Sequence, residues 1–208
     1  MDLNADFKQR VVVHSDQLDW VASPMPGVDR RMLDRIGGEV ARATTIVRYA
    51  PNSKFSAHTH TGGEEFIVLE GVFQDEHGDF PAGTYVRNPP TSSHTPGSDA
   101  GCTIFVKLWQ FDMEDRSQFH VDTNGDGYVE ASDGITRLPL HRDAYEDVCV
   151  EMWHAGTSVP LEAPDGLEIL VLEGGFIEGG ETFAAQSWLR LPKGSESLAV
   201  SGENGAKV

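Results

Sequence analysis

Imidazole and carboxylate groups bind borderline divalent cations, and this chain brings two imidazoles close together in His58-Thr59-His60. On an extended segment, residues two apart project to one face with Cα atoms about 6.6–7 Å apart, so both rings can reach one ion. Glu64 follows four residues after His60. Fully extended, that separation is about 13 Å, too far for a shared ion. The intervening Thr61-Gly62-Gly63 supplies a tight reversal, because glycines accept backbone angles that side chains resist. A fourth candidate, His94, lies in Pro89-Pro90-Thr91-Ser92-Ser93-His94-Thr95-Pro96, where prolines on both sides stiffen the loop. His58, His60, Glu64 and His94 form the expected metal site. No residue is singled out as catalytic.

The elements that must position this quartet are set by an internal repeat. Gly63-Glu64-Glu65-Phe66-Ile67-Val68-Leu69-Glu70-Gly71-Val72-Phe73 recurs 103 residues later as Gly166-Leu167-Glu168-Ile169-Leu170-Val171-Leu172-Glu173-Gly174-Gly175-Phe176. The same offset carries Tyr85-Val86-Arg87-Asn88-Pro89 onto Trp188-Leu189-Arg190-Leu191-Pro192. Each copy reads as short β-rich runs between turn residues: Ala43–Tyr49, Glu65–Glu70, Gly83–Asn88 and Cys102–Trp109, then Val148–Trp153, Leu167–Glu173 and Gln186–Leu191. The expected fold is all-β, a sandwich or small barrel in each copy. Residues 41–115 are expected to form the metal-binding module and 147–208 a degenerate copy, with 116–146 as the connector. Residues 1–40 hold weak strand signals, notably Arg10–Val13, and are expected to pack as an arm on the barrel or on a homodimer partner.

The second copy acts as a control on the first. At the same offset His58, His60, Glu64 and His94 become Leu161, Ala163, Leu167 and Ser197. All four candidate ligands are lost together and three become apolar, as an inward-facing cluster should when no cation is bound. Glu65 persists as Glu168, which marks Glu65 as solvent-facing and Glu64 as the ligand.

A formal net charge of -17 disfavours nucleic acid and anionic membrane surfaces as partners. The basic stretch Asp29-Arg30-Arg31-Met32-Leu33-Asp34-Arg35 is interleaved with aspartates and reads as ion pairs. Neither a signal peptide nor a membrane span is expected from the pattern, and two cysteines, Cys102 and Cys149, suit a cytoplasmic setting. Cys102 is expected to be a packed thiol.

These residues resemble the cupin superfamily. Its first motif, G-x5-H-x-H-x3/4-E-x6-G, is met by His58, His60, Glu64 and Gly71, with Asn52 in place of the opening glycine. Its second motif is met only in part, by Pro81-Ala82-Gly83, with the histidine arriving late at His94. The run from Pro81 to His94, the first motif, and the Met32–Ala50 stretch with Gly37-Gly38-Glu39-Val40 are similar to the cupin-like domain of ChrR-type anti-sigma factors. The resemblance implies double-stranded β-helix (jelly-roll) barrels in tandem, a bicupin, with zinc on three histidines and one glutamate. It also implies a part in regulating a stress-responsive sigma factor. Members of that family carry an N-terminal His-x3-Cys-x2-Cys zinc module that binds the sigma factor, whereas here His14 is followed by no cysteine until Cys102.

Asp122-Thr123-Asn124-Gly125-Asp126-Gly127-Tyr128-Val129-Glu130 resembles the first part of a calcium loop, with Asp133 at its twelfth position in place of glutamate. The same residues equally make a tight turn, so calcium at 122–133 and a plain connector are both open. Three functions fit the main site. A zinc-loaded barrel could sense a small oxidant or ligand; iron, manganese or nickel could serve a dioxygenase or isomerase; or the metal could simply hold a small organic acid.

Overall fold

Runs such as Phe66-Ile67-Val68 and Ile104-Phe105-Val106 are apolar at successive positions, which suits strands covered on both faces. The structure, a computed structural model describing residues 1–38 and 40–208, places both runs in the interior of a large antiparallel sheet. Glu39, within the stretch cited for the family resemblance, lies outside the described residues. Apart from one 3-10 turn, Ser15–Gln17, the regular structure among the described residues is entirely strand.

The chain divides into two compact units. The first comprises Met1–Ala5 and Asp19–Gly125, the second Asp6–Leu18 and Asp126–Val208. In the first, neighbouring strands run in the order Asp2–Leu3, Val28–Gly37, Ala41–Tyr49, Cys102–Leu108, Glu64–Asp75, Thr84–Asn88 and Phe119–Asp122. Phe66, Val68, Phe73, Phe80, Val86, Ile104 and Val106 fill its core. In the second, one sheet orders Val129–Ser132, Ile135–Arg142, Asp147–Trp153, Ser195–Lys207, Glu173–Glu178 and Glu181–Ala184, and a smaller one joins Leu167–Leu170, Ser187–Leu191 and Val11–His14. Its core includes Trp153, Leu161, Ala163, Val171, Phe176, Phe183 and Leu189.

The 103-residue repeat is visible in the strand register. Phe66 faces Val86 and Ile169 faces Leu189; Phe73 faces Phe80 and Phe176 faces Phe183; His58 faces His94 and Leu161 faces Ser197. Gly71 and Gly174 both take positive φ, and a methyl group on either would collide with a carbonyl oxygen, of Gly101 and Gly205 respectively. Asn52, where the motif has glycine, also takes a left-handed conformation at φ 62°, which Asn tolerates better than most residues.

Segments read from sequence as accessory are built into the two units. Asp2–Leu3 pairs with Val28–Gly37, while Val11–His14 pairs with Ser187–Leu191 of the second unit. Within 116–146, Phe119–Asp122 closes the edge of Thr84–Asn88, and Val129–Ser132 forms a hairpin with Ile135–Arg142. The basic stretch lies in strand Val28–Gly37, and its aspartates pair across to the next strand, Asp29 with Arg48 at 2.7 Å and Asp34 with Arg42 at 3.2 Å.

Glu65 corrects the sequence reading. It is not solvent-facing but 4 % exposed. Tyr85 Oη donates to Glu65 Oε2 at 2.5 Å, and the fully buried Arg87 reaches the same oxygen at 3.3 Å and Asp115 Oδ2 at 2.9 Å. Phe111 lies under the guanidinium at 4.1 Å. Glu65 and Arg87 are cross-strand partners, as are Glu168 and Arg190 103 residues later. The glutamate persists in both copies because each copy has an arginine directly opposite.

Removing Glu65 leaves Arg87 buried with one carboxylate instead of two. Glu65→Ala is expected to lower the free energy of unfolding in urea by about 3 kcal/mol, and Glu65→Gln, which keeps an acceptor for Tyr85, by less. Unfolding curves of Glu65→Ala that overlay the parent's would refute the network.

Candidate metal centre

Two very short strands present three of the four candidate ligands. His58–Thr59 pairs with Ser93–His94, setting His58 opposite His94. The backbone of His60 continues the lock: its N–H donates to Ser92 O at 2.9 Å, and its carbonyl accepts Thr91 N–H at 2.8 Å. Thr91 takes φ 77°, the bend that turns the Pro-Pro loop back onto His60. Glu64 opens the long strand Glu64–Asp75, paired with Asn88 and Leu108. Between His60 and Glu64 the chain reverses at Gly62 and Gly63. A side chain at Gly62 would overlap the Trp109 ring and one at Gly63, φ 77°, the Phe111 ring. Trp109 N–H donates to Gly63 O at 3.2 Å, so the glycines let two aromatic residues clamp the reversal.

The four side chains converge. One potential ligand atom from each of His58, His60, Glu64 and His94 lies within 4.8 Å of every other. Ring centroids are 4.6 Å apart for His60 and His94, 4.8 Å for His58 and His94, and 4.9 Å for His58 and His60. Glu64 Oε1 is 3.7 Å from His60 Nε2 and 3.6 Å from His94 Nε2. His60 and His94 are buried, Glu64 is half-buried and His58 is exposed.

His60 Nε2 is buried with no hydrogen-bond partner among the described residues. A polar nitrogen stranded in this way is costly unless something fills the space it faces. Three imidazoles and a carboxylate around that space are a donor set that suits a borderline divalent cation, so the residues fit such an ion. Burial pulls the pKa of His60 below its ordinary value, with His94 and His58 pulling the same way and Glu64 opposing. Burial also acts to lower His94, but its hydrogen bond to Asp75 and the charges of Glu64, Asp75 and Glu76 outweigh it, and its pKa is raised.

Asp75 escaped the sequence reading. Its Oδ2 lies 3.1 Å from His94 Nδ1 on the side away from Glu64, and both side chains are 2 % exposed. The signal that could have found it is the repeat, which places Glu178 at the same offset. Asp75 also lines a cleft of about 280 Å³, together with Phe80, Asn88, Phe119 and His120 among others, and none of the four candidate ligands lines it. Asn88 Nδ2 there is buried and unpartnered among the described residues.

The calcium-like segment does not gather its carboxylates. Among the described residues, no group of three or more close acidic, His or Cys ligands includes Asp122, Asp126 or Asp133. Asp122 Oδ1 accepts Asn124 N–H, and Asn124 Nδ2 donates to Ala82 O. Strands rather than helices flank the segment. Asp122 Oδ1 thus serves a hydrogen bond of the turn itself. Elsewhere among the described residues, His141 comes within ligand distance of Asp143 and Glu146. Cys102 and Cys149 are free thiols, and burial pushes Cys102 up to about 11, so it is a packed thiol as expected.

With this geometry in hand, comparison with known proteins identifies the framework. No helix among the described residues is long and apolar enough to cross a membrane. No curated protein matches the chain. Among solved structures, a proposed dioxygenase from Nostoc punctiforme superposes with a TM-score of 0.79 at 14% identity, over 96% of this chain and 81% of that one. YlbA from Escherichia coli gives 0.69 at 12%, covering 97% and 90%, and the E. coli pirin YhhW in complex with nickel(II) gives 0.66 at 12%, covering 96% of each. At such identities the likeness shows the fold alone. Sequence comparison is more specific: residues 8–112, half of the chain, match the family described as the ChrR cupin-like domain, and the chain belongs to that family.

Proposed function

We propose that the first unit binds one divalent ion, zinc, through His58, His60, Glu64 and His94, and that the protein serves as a metal-loaded regulatory cupin. The observation that carries this reading is the convergence of four ligand atoms within 4.8 Å around a buried, unpartnered His60 Nε2. The two units are read as double-stranded β-helix barrels in tandem, a bicupin whose second copy keeps the strand ladder but has Leu161, Ala163, Leu167 and Ser197 at the ligand positions. Zinc with four protein ligands supplies a closed, structural centre. Family membership favours a role in a stress response, with a sigma factor or its regulator as partner in the cytoplasm and a small oxidant or ligand as the signal.

A second reading has one specific observation behind it. The cleft that Asp75 and the buried Asn88 amide line could take a small organic substrate, and the fold is shared with a proposed dioxygenase and a nickel-bound pirin. Iron, manganese or nickel would then replace zinc, since these ions accept ligands beyond four.

Elemental analysis of protein purified without added metal separates the two. Stoichiometric zinc with no oxygen uptake on small diketones or phenols is the expected result; iron with turnover would install the enzymatic reading. His58→Ala should lower metal content several-fold, and Ser197→Ala should leave it unchanged. Full metal content in the His58 variant would overturn the ligand assignment.

The metal-free protein should also reveal the two buried rings by pH. His60 has a folded pKa below the 6.5 of the free side chain, so its contribution to stability is complete above that pH and is lost as the pH falls toward the folded value. His94 is shifted up, so its contribution is complete below 6.5 and fades as the pH rises through the folded value. Melting temperatures across pH should therefore show less acid-side loss in His60→Gln and less alkaline-side loss in His94→Gln. Parallel profiles for parent and both variants would contradict these assignments.

A further inference from the structure

We infer that Asp75 is the positioning carboxylate of the candidate metal centre: it accepts the Nδ1 proton of His94 and so commits the lone pair of Nε2 to the cation. This rests on the metal-binding reading above and adds to it a residue that orders one ligand.

The geometry is specific. A neutral imidazole carries one proton on two nitrogens, and whichever nitrogen holds it cannot ligate. His94 Nε2 faces the cluster, 3.6 Å from Glu64 Oε1, while Nδ1 faces Asp75 Oδ2 at 3.1 Å. Asp75 is itself held, its Oδ1 accepting His77 N–H at 2.7 Å. The strand Glu64–Asp75 thus supplies a ligand at its first residue and the orienting carboxylate at its last. Among the described residues no lysine or arginine pairs with Asp75, although its side chain is 2 % exposed. An imidazole and one backbone N–H are its partners, and a cation on the far side of that imidazole would strengthen the pair by polarising the Nδ1–H bond.

The second unit shows what this carboxylate does when the ligands are gone. Asp75 pairs with Gly78 across its hairpin, and Glu178 with Glu181 at the same offset. Ser197, which stands in place of His94, donates to Glu178 Oε1 at 2.5 Å. The contact between the two positions survives even though the imidazole does not. Here, however, Arg10 reaches Glu178 Oε2 at 2.5 Å and supplies the positive charge within the protein. Where the quartet is present the carboxylate has no arginine; where the quartet is lost, it has one.

Two measurements test the role. Zinc affinity, read by chelator competition, should fall about 10–100-fold in Asp75→Ala, as for other carboxylates that orient metal-bound histidines. Asp75→Asn, which keeps an acceptor but no charge, should lose less. Unchanged affinity in both variants would overturn the proposal. Should Asp75→Ala fail to fold, Asp75→Asn alone carries this comparison. The second measurement uses metal-free protein: ¹⁵N NMR of labelled histidine at mildly alkaline pH should show His94 protonated at Nδ1 in the parent and shifted toward the Nε2–H tautomer in Asp75→Ala. The same tautomer in both would sink the inference. A parent that binds no zinc but shows this tautomer shift would defeat the metal reading while leaving the orienting role of Asp75 intact.

Discussion

Bringing three imidazoles and a carboxylate to one point is unfavourable unless the protein backbone fixes each approach. Left to themselves, such groups prefer water, and packing them together strips that water away. The first unit meets this constraint with main-chain hydrogen bonds rather than side-chain packing. Two-residue ladders set His58 against His94, and the Thr91 and Ser92 bonds hold His60 in line with the Pro-Pro loop. Two glycines bring Glu64 back beneath Trp109 and Phe111. The strand pairing of the unit is thus the frame on which the quartet converges, and a cation at its focus would turn the arrangement from a cost into a gain.

The second unit keeps the ladder and abandons the focus. Leu161 and Ala163 are buried in the core formed with Phe176, Phe183 and Leu189. The interior that holds polar rings in one copy is closed by apolar contact in the other, and the strand register hardly changes between them. A β-framework of this kind depends on cross-strand pairs and backbone bonds, which are indifferent to what lines the interior. Features outside the quartet survive in both copies for the same reason. The glutamate–arginine pair across the central strands, Glu65 with Arg87 and Glu168 with Arg190, belongs to the framework.

The quartet was legible from sequence because its loss is concerted: four replacements at one offset carry more information than any single histidine. Strand positions were legible where apolar runs were dense, as in Ala41–Tyr49 and Cys102–Leu108. Val28–Gly37 was not, because its charges obscure a strand whose partners lie on the neighbouring strand. Glu65 was misread because persistence in both copies was taken to mean exposure, when a buried ion pair preserves a charged residue equally well. Its arginine lies 22 residues away, a separation no local pattern reveals. Asp75 was hidden for a related reason: a carboxylate that touches a candidate ligand rather than the focus of the quartet carries no ligand spacing of its own.

The unequal exposure of the four side chains bears on what the centre can do. His60 and His94 are enclosed and tied to the backbone or to Asp75, whereas His58 is open to solvent and its Nδ1 makes only a long 3.4 Å contact with Ser56 O. Of the three rings, His58 is therefore the least constrained and the first that an oxidant or a small ligand would meet. Exchange at that position would disturb the pairing of His58–Thr59 with Ser93–His94 directly, because the two strands share only two residue pairs. Two enclosed rings and one accessible ring on a minimal strand fit the proposed role of reporting a chemical event through the backbone.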